Sequence, residues 1–259
     1  SWGYNVYGNL GQNKSTPSGH VSSPVQVPGT TWSKAGPIGV YQTTWGLKTD
    51  GTLWMWGENA KGVLGQNAPE SSSKSSPTQI PGTTWTEEVT GGYQFIDTIK
   101  SDGTRWAWGN GGDGRTAQNN NVDYSSPTQI PGTTWRYVSS SGYSSIATKT
   151  DGTLWVQGEN NYGQLGQNSR TKYSSPIQIP GTTWVRPFPI GHHAVGATRT
   201  DGTIWVWGQN GSGQLGLNQS APVHISSPTQ IPGTTWEVDN MIRYNVANSN
   251  VGGFFKKVT

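Results

Sequence analysis

The sequence predicts an all-β protein, folded as a β-propeller of about five four-stranded blades. Two observations carry this prediction. A unit of roughly fifty residues recurs along the 259-residue chain, and each copy has the pattern of short strands joined by tight turns. The composition agrees, because glycines number 37 and only 12% of the residues are charged, whereas strong helix formers are sparse.

The phrase Pro-Gly-Thr-Thr-Trp marks each copy of the unit. It ends at Trp32, Trp85, Trp135, Trp184 and Trp236. Before each copy stands Ser-Pro-x-Gln, which we interpret as an outer edge strand because proline cannot donate to a strand ladder. The segment after each tryptophan is expected to supply an inner strand.

A second phrase, Asp-Gly-Thr-x-Trp, predicts the middle of each blade. It begins at Asp50, Asp102, Asp151 and Asp201. Asp-Gly between strand-like residues predicts a hairpin with a type I′ turn, in which both central residues have positive φ. In the following strand Trp54 and Trp56 share one face, and aliphatic side chains share the other. We therefore expect this strand to be buried between neighbouring blades, with the tryptophans in the core.

The two ends of the chain predict the fifth blade. A third phrase, Gly-x-Asn followed by Gly-Gln-Leu-Gly or a variant, stands near 57–65, 158–166 and 208–216, with degenerate copies at 3–11 and 109–117. Residues 237–259 joined with 1–32 make one more repeat in the right phase. We predict a single domain over 1–259, with repeats near 33–85, 86–135, 136–184, 185–236 and the shared one. Because 252–258 departs from the motif, completion of this blade by a neighbouring molecule is the alternative.

The Gly-Gln-Leu-Gly copies at 163–166 and 213–216, with Asp-Gly-Thr-x-Trp-x-Trp-Gly before the second, resemble repeats of the regulator of chromosome condensation family. The resemblance implies a propeller fold. Its founding eukaryotic member is a seven-bladed nucleotide-exchange factor for a small GTPase, and a secreted bacterial relative inhibits β-lactamases. The family's Gly-x-x-His segment occurs here only as Gly-His-His at 191–193. We therefore transfer the fold and not the exchange activity.

The residues that open each second strand form the candidate ligand-binding site. Repeat geometry places them around one mouth of the central channel, and tyrosine combines an apolar ring with a polar tip. The set comprises Tyr41, Gln42, Tyr93, Gln94, Tyr143, His192, His193 and Tyr244. Filling of the channel by the same side chains is the structural alternative. A second candidate surface is the loops before each Ser-Pro, which vary in length and chemistry on a constant frame.

The sequence predicts no catalytic, metal or cofactor site. Cysteine is absent, and the adjacent His192 and His193 would point to opposite faces of a strand. Gly-x-Ser-x-Gly, Walker and His-Glu-x-x-His motifs are also missing. The formal charge of +3 is scattered, which argues against a nucleic-acid partner, and no apolar run is long enough for membrane insertion.

These observations predict a non-enzymatic binding or adhesion module, outside the cell or on a virion or cell surface. It would hold a glycan or a protein through its blade loops or its channel mouth. Two alternatives stay open. One is a structural subunit of a homo-oligomer or filament assembled by strand complementation, and the other is a secreted enzyme inhibitor.

Overall fold

Four antiparallel sheets of four strands each make up the protein. The computed structural model describes residues 1–14, 20–38, 42–219, 223–234 and 236. In every sheet the four strands lie side by side in chain order, so each sheet is one blade made by one repeat. The innermost strands of blades 1 and 2, 2 and 3, and 3 and 4 contact one another, which arranges these blades around a common centre.

The strand bounds follow the repeat closely. Blade 1 contains β1 Trp32–Ile38, β2 Thr43–Lys48, β3 Leu53–Gly57 and β4 Lys74–Gln79. Blade 2 contains β5 Trp85–Gly91, β6 Phe95–Lys100, β7 Arg105–Gly109 and β8 Tyr124–Ile130. Blade 3 contains β9 Trp135–Ser140, β10 Ser144–Lys149, β11 Leu154–Gly158 and β12 Tyr173–Ile179. Blade 4 contains β13 Trp184–Pro189, β14 Ala194–Arg199, β15 Ile204–Gly208 and β16 Ile225–Gln230. Short 3-10 turns lie at Ala60–Gly62 and Gly112–Gly114.

The hairpin between the second and third strands differs from the predicted type I′ turn. In the first hairpin only Gly51 has a positive φ, of 77°, whereas Asp50 does not. Gly51 N donates to Lys48 O, and Lys48 N donates to Thr52 O, both at 3.0 Å. This pattern is a type I turn followed by a glycine bulge. The type I′ prediction is wrong because the turn spans one residue more than the Asp-Gly pair.

The Asp-Gly-Thr-x-Trp phrase encodes a chain of hydrogen bonds. Asp50 Oδ1 accepts from Thr52 N at 3.0 Å and from Thr52 Oγ1 at 2.7 Å. Thr52 Oγ1 in turn accepts from Trp54 Nε1 at 2.9 Å. The same bonds recur in the hairpins that begin at Asp102, Asp151 and Asp201. The aspartate therefore fixes the turn, and the threonine anchors the first tryptophan of the third strand.

The tryptophans occupy two environments. Trp108 and Trp207 are completely buried between blades, which confirms the predicted core role for the second tryptophan of the third strand. The first tryptophan of that strand is half-buried, as at Trp155, and a cation covers it. Lys149 Nζ lies 4.6 Å from the centroid of the Trp155 ring. This cation–π contact also leaves the lysine ammonium at the surface.

The loop between the third and fourth strands reaches over the next blade. Asn168 N, in blade 3, donates to Ser226 O, in blade 4, at 2.7 Å. Trp207 Nε1 donates to Gln164 O at 2.9 Å and ties the same two blades together. Equivalent backbone bonds of 2.7 Å join Asn67 to Ser125 and Asn119 to Ser174. We call each such loop the overhanging loop of its blade.

Residues 1–14 form an overhanging loop that lies on blade 1. Asn13 N donates to Ser75 O at 2.7 Å, and Trp56 Nε1 donates to Asn9 O at 3.0 Å. A backbone bridge between Gly3 and Val21 takes the place that the end of the third strand and the start of the fourth occupy in a complete blade. Residues 1–14 therefore stand to blade 1 as the overhanging loop of one blade stands to the next.

The described residues thus make four complete blades and the outer part of a fifth. The predicted inner strands of the fifth blade fall on 237–259, which lies outside the described residues. Within the described part of the chain, no hydrogen bond joins residues 1–14 to blade 4. The all-β propeller of four-stranded blades is confirmed, and within the described residues the complete blades number four of the predicted five. Closure of the ring by both termini stays a prediction.

Candidate functional site

The turns that follow the innermost strands pack directly on one another at one mouth of the channel. Tyr93 N donates to Gly142 O at 2.6 Å, and Gly142 N donates to His192 O at 3.0 Å. A Cβ added at Gly92 would lie 2.3 Å from Ser141 O, so this close approach requires glycine. Blades 2, 3 and 4 are therefore linked by backbone contacts at this mouth.

An aromatic stack crosses these turns. The rings of Tyr93 and Tyr143 are stacked with centroids 5.0 Å apart, and Tyr143 stacks on His193 at 5.2 Å with an interplanar angle of 8°. The ring of His192 meets Tyr143 edge-on at 6.5 Å. Four of the predicted site residues are thus brought together, and all four are half-buried. We call this group, with Arg115 and Tyr162 described below, the mouth cluster.

Tyr143 lies one position away from the register that the sequence suggested. Each second strand begins opposite the glycine that ends the third strand, which fixes the equivalent positions. By this pairing Tyr143 corresponds to Gln94 and His193, whereas Tyr93 corresponds to His192. Tyr93 and Tyr143 are therefore not equivalent, because β5 is one residue longer than β9 while the connections to β6 and β10 have the same length.

Arg115 is a member of the cluster that sequence reasoning missed. Its guanidinium lies 4.8 Å from the Tyr143 ring centroid and 5.8 Å from that of Tyr93. Arg115 Nη1 donates to Tyr93 O at 3.2 Å, and Nη2 lies 3.3 Å from Asp113 Oδ2. The side chain is only 8% exposed. The guanidinium is therefore fixed in place by a carbonyl, a carboxylate and two aromatic faces.

The stack continues towards blade 4 through Tyr162. The rings of Tyr162 and His193 have centroids 4.7 Å apart, and His224 meets Tyr162 edge-on at 4.9 Å. Glu159 Oε2 lies 3.0 Å from His193 Nδ1. The mouth cluster therefore combines flat rings with the Arg115 cation, and the carboxylates of Asp113 and Glu159 lie beside it.

Two rings of the cluster, those of Tyr143 and His192, have pKa values that are shifted in favour of the uncharged form. Burial raises the pKa of the Tyr143 phenol, and the neighbouring Tyr93 adds to the rise. Burial lowers the pKa of the His192 imidazole, and the neighbouring His193 adds to the decrease. Both shifts favour uncharged rings, which suits stacking and contact with a partner.

The remaining predicted residues do not join the stack. Gln94 Oε1 accepts from Asn110 Nδ2 at 3.4 Å within its own blade. Gln42 accepts from Glu58 N through its backbone oxygen, at 2.9 Å, and its buried Oε1 has no hydrogen-bond partner among the described residues. Tyr41 and Tyr244 lie outside the described residues.

Two further observations concern other kinds of site. Across the described ranges, no three His, Asp or Glu side chains lie close enough to hold a metal ion. In the same ranges, no helix has the length and apolar character needed to cross a membrane.

The Regulator of chromosome condensation (RCC1) repeat matches residues 50–96, 151–197 and 201–239, just over half of the chain. The chain belongs to this family. Each matched stretch begins at the aspartate of an Asp-Gly-Thr hairpin and continues through the overhanging loop. The copy in blade 2, which begins at Asp102, lies outside these stretches, and it is the copy that carries Arg105 and Arg115.

Solved structures show the same RCC1-like propeller fold. Human WBSCR16 superposes with a TM-score of 0.74 and 20% identity, over 91% of this chain and 63% of that chain. Prp20p from Saccharomyces cerevisiae superposes with a TM-score of 0.70 and 16% identity, over 83% of this chain and 54% of that chain. This chain therefore spans less than two thirds of either protein, and identities this low establish the fold alone. Among curated proteins, none matches the sequence significantly.

Proposed function

We propose that this RCC1-repeat protein is a binding module that recognises a protein partner through the mouth cluster. The observation that carries the proposal is the continuous stack of Tyr93, Tyr143 and His193 with the Arg115 guanidinium against it. Tyrosine and arginine are the residue types that contribute most to protein–protein binding, especially in partly buried clusters on a rigid scaffold.

The structural neighbours support a protein ligand over a glycan. The structure of Prp20p is described together with its binding to Gsp1p and histones, and a further structure contains Kap60 bound to yeast RCC1. Binding of proteins is therefore a use to which this fold is put in those neighbours. That the module acts without catalysis, and that it works outside the cell or on a surface, stay predictions.

The proposal is tested by paired capture and affinity measurements. The parent protein and the variant Tyr143→Ala/His193→Ala are immobilised, and retained proteins are quantified from extracts. Each protein that the parent retains is then purified, and its Kd is measured against both forms. We expect the variant to bind at least about tenfold more weakly, because two ring contacts at the centre of the interface are lost.

A matched control exists in the N-terminal segment. Tyr4 and His20 form another stacked tyrosine–histidine pair, with centroids 4.8 Å apart, and Tyr4 is 53% exposed. Tyr4→Ala/His20→Ala should leave the affinity unchanged. Equal affinity of the mouth variant and the parent for every purified partner would contradict the proposal. If the parent binds a glycan array and the Tyr143→Ala/His193→Ala variant does not, the ligand of the mouth cluster is a carbohydrate and the proposed protein partner is wrong.

A further inference from the structure

A cavity of about 520 Å³ lies among the innermost strands of the four blades. β1, β5, β9 and β13 all contribute to its lining, whereas the mouth cluster lies in the turns that follow these strands. Its size falls within the ~300–1,000 Å³ that is usual for small-molecule sites. The cavity is therefore distinct from the mouth cluster and large enough for a ligand of its own.

Charged and aromatic side chains line the cavity from all four blades. The second residues after the first tryptophan of each repeat are among them, and they are Lys34, Glu87, Tyr137 and Arg186. Lys34 and Glu87 form a salt bridge with each other, so their charges compensate. The other two of these four residues, Arg186 and Tyr137, form a cation–π contact instead of a salt bridge.

Arg186 has hydrogen-bonding capacity that the described residues do not use. Its guanidinium lies 4.5 Å from the Tyr137 ring centroid, and Nη2 lies 3.4 Å from Glu88 Oε1, which is a long hydrogen bond. The other guanidinium N–H groups have no protein acceptor within the described ranges, although 80% of the side-chain surface is buried. A stacked guanidinium with spare donors beside a cavity is suited to a carboxylate.

Glu88 places the opposite charge beside that donor. The residue is 8% exposed, and its other carboxylate oxygen, Oε2, lies 3.5 Å from Val138 N. A ligand with only a carboxylate would be repelled by Glu88, and a ligand with only an ammonium group would be repelled by Arg186. A molecule that carries a carboxylate and an ammonium group on the same carbon atom fits the pair.

Apolar side chains complete the recognition surface. Trp45 and Val89 line the cavity and are buried, and Phe188 lines it from blade 4. This wall would receive an aliphatic or aromatic side chain once the charged end of the ligand is held, because transfer of apolar surface out of water is favourable.

We propose that this cavity binds a free apolar α-amino acid. Its carboxylate pairs with Arg186, its ammonium group pairs with Glu88, and its side chain packs against Trp45 and Phe188. The proposal concerns a different site from the mouth cluster and does not depend on the protein partner proposed above.

Calorimetric titration of the full chain with a ligand series tests this without any mutation. The probes are L-phenylalanine, L-leucine, 3-phenylpropanoate, phenethylamine and N-acetyl-phenylalaninamide. We expect the two amino acids to bind, and the three analogues, which lack one or both charges, to bind at least about tenfold more weakly. No heat with either amino acid at millimolar concentration, or equal binding of 3-phenylpropanoate, would overturn the proposal.

Variants then locate the site. Arg186→Lys keeps the charge but removes the planar fork, and Glu88→Gln keeps the shape but removes the charge, so each should weaken L-phenylalanine binding about tenfold or more. Tyr143→Ala, at the mouth, should bind the amino acid like the parent. Thermal melting checks that each variant is folded. Unchanged amino-acid affinity in folded Arg186→Lys and Glu88→Gln would show that the ligand binds elsewhere.

Discussion

Two junctions between blades use the same four positions in opposite ways. At the junction of blades 3 and 4 the positions are apolar and buried: Ile146, Leu154, Val195 and Trp207. At the junction of blades 2 and 3 they are polar and equally buried: Asp97, Arg105, Ser145 and Gln157. The strand pairing makes the two sets equivalent residue by residue.

The polar set forms a hydrogen-bond network that leaves one buried donor, Gln157 Nε2, without a partner among the described residues. Arg105 Nε donates to Asp97 Oδ1 at 2.9 Å, and Nη2 donates to Ser145 Oγ at 2.8 Å. Ser145 Oγ donates to Asp97 Oδ2 at 2.6 Å, and Arg105 Nη1 lies 3.4 Å from Gln157 Oε1. In this protein the junction that holds a buried charge is polar at all four positions, as expected because a buried ion needs partners for its charge and its hydrogen bonds.

The largest expected effect follows from placing one polar residue in the apolar junction. Leu154→Arg would bury a guanidinium at the position equivalent to Arg105, without a carboxylate opposite it. An uncompensated buried charge costs several kcal/mol, which is comparable to the ~5–15 kcal/mol total stability of a domain. We expect that the variant no longer unfolds cooperatively in urea. The measurement is a urea titration monitored by tryptophan fluorescence.

The matched control transplants the whole polar set. Leu154→Arg combined with Ile146→Asp, Val195→Ser and Trp207→Gln should recover part of the lost stability. A Leu154→Arg protein that unfolds like the parent would show that this junction is not tightly packed.

The second effect concerns the partner of the native buried cation. Asp97→Ala leaves Arg105 buried beside Ser145 with no carboxylate, and we expect a loss of about 3–5 kcal/mol in the free energy of unfolding. Glu70→Ala, which removes an exposed partner of Lys61, should change that free energy by less than ~1 kcal/mol. Equal urea midpoints for the two variants would contradict this account of the polar junction.

The third expected effect is a smaller change in the free energy of unfolding, and it is a gain instead of a loss. Replacing the polar set by the apolar one, with Asp97→Ile, Arg105→Leu, Ser145→Val and Gln157→Trp, should leave stability unchanged or raise it by ~1–4 kcal/mol. The measurement is the urea midpoint of the four-fold variant against the parent. A marked loss of stability would contradict this expectation, because it would mean that the polar network stabilises this junction more than apolar side chains can.

The smallest effect is a dependence of stability on pH, and it comes from His192 in the mouth cluster. Burial lowers the pKa of His192 below its ordinary value of 6.5, so the unfolded chain binds this proton more readily than the folded one. Stability is then highest above that value and falls as the pH decreases through it. We expect the Tm to fall between about pH 7.5 and 5.5, and to fall less in His192→Gln. An identical decrease in both proteins would assign the effect to other groups, such as His224, whose pKa burial also lowers.

The repeated phrases predicted the fold because each encodes a local interaction. Asp50 and Thr52 build the same turn wherever the phrase occurs, so its recurrence located the hairpins correctly. The turn type was missed because the hydrogen-bond register depends on the flanking Lys48 and not on the Asp-Gly pair alone.

The functional features escaped prediction because they depend on relations between blades. Arg115 stands where two of the three clear copies of the third phrase have glutamine, Gln164 and Gln214, so the departure was visible but its contact with Tyr143 was not. Glu88 and Arg186 are far apart in the chain and meet only across the centre of the propeller. Single-sequence periodicity carries no information about such pairs.

The overhanging loops have a consequence for how such a protein can grow. Residues 1–14 and the overhanging loops of blades 1 to 3 each donate a hydrogen bond to the following blade, and the acceptor is always the backbone oxygen of the first serine in Ser-Ser-Pro. A tandem duplication of one unit would therefore supply both a new overhanging loop and a new serine oxygen to accept its hydrogen bond, whatever side chains fill the junction. The chain could gain or lose whole units while each remaining pair of neighbouring blades keeps its hydrogen bond between loop and Ser-Ser-Pro.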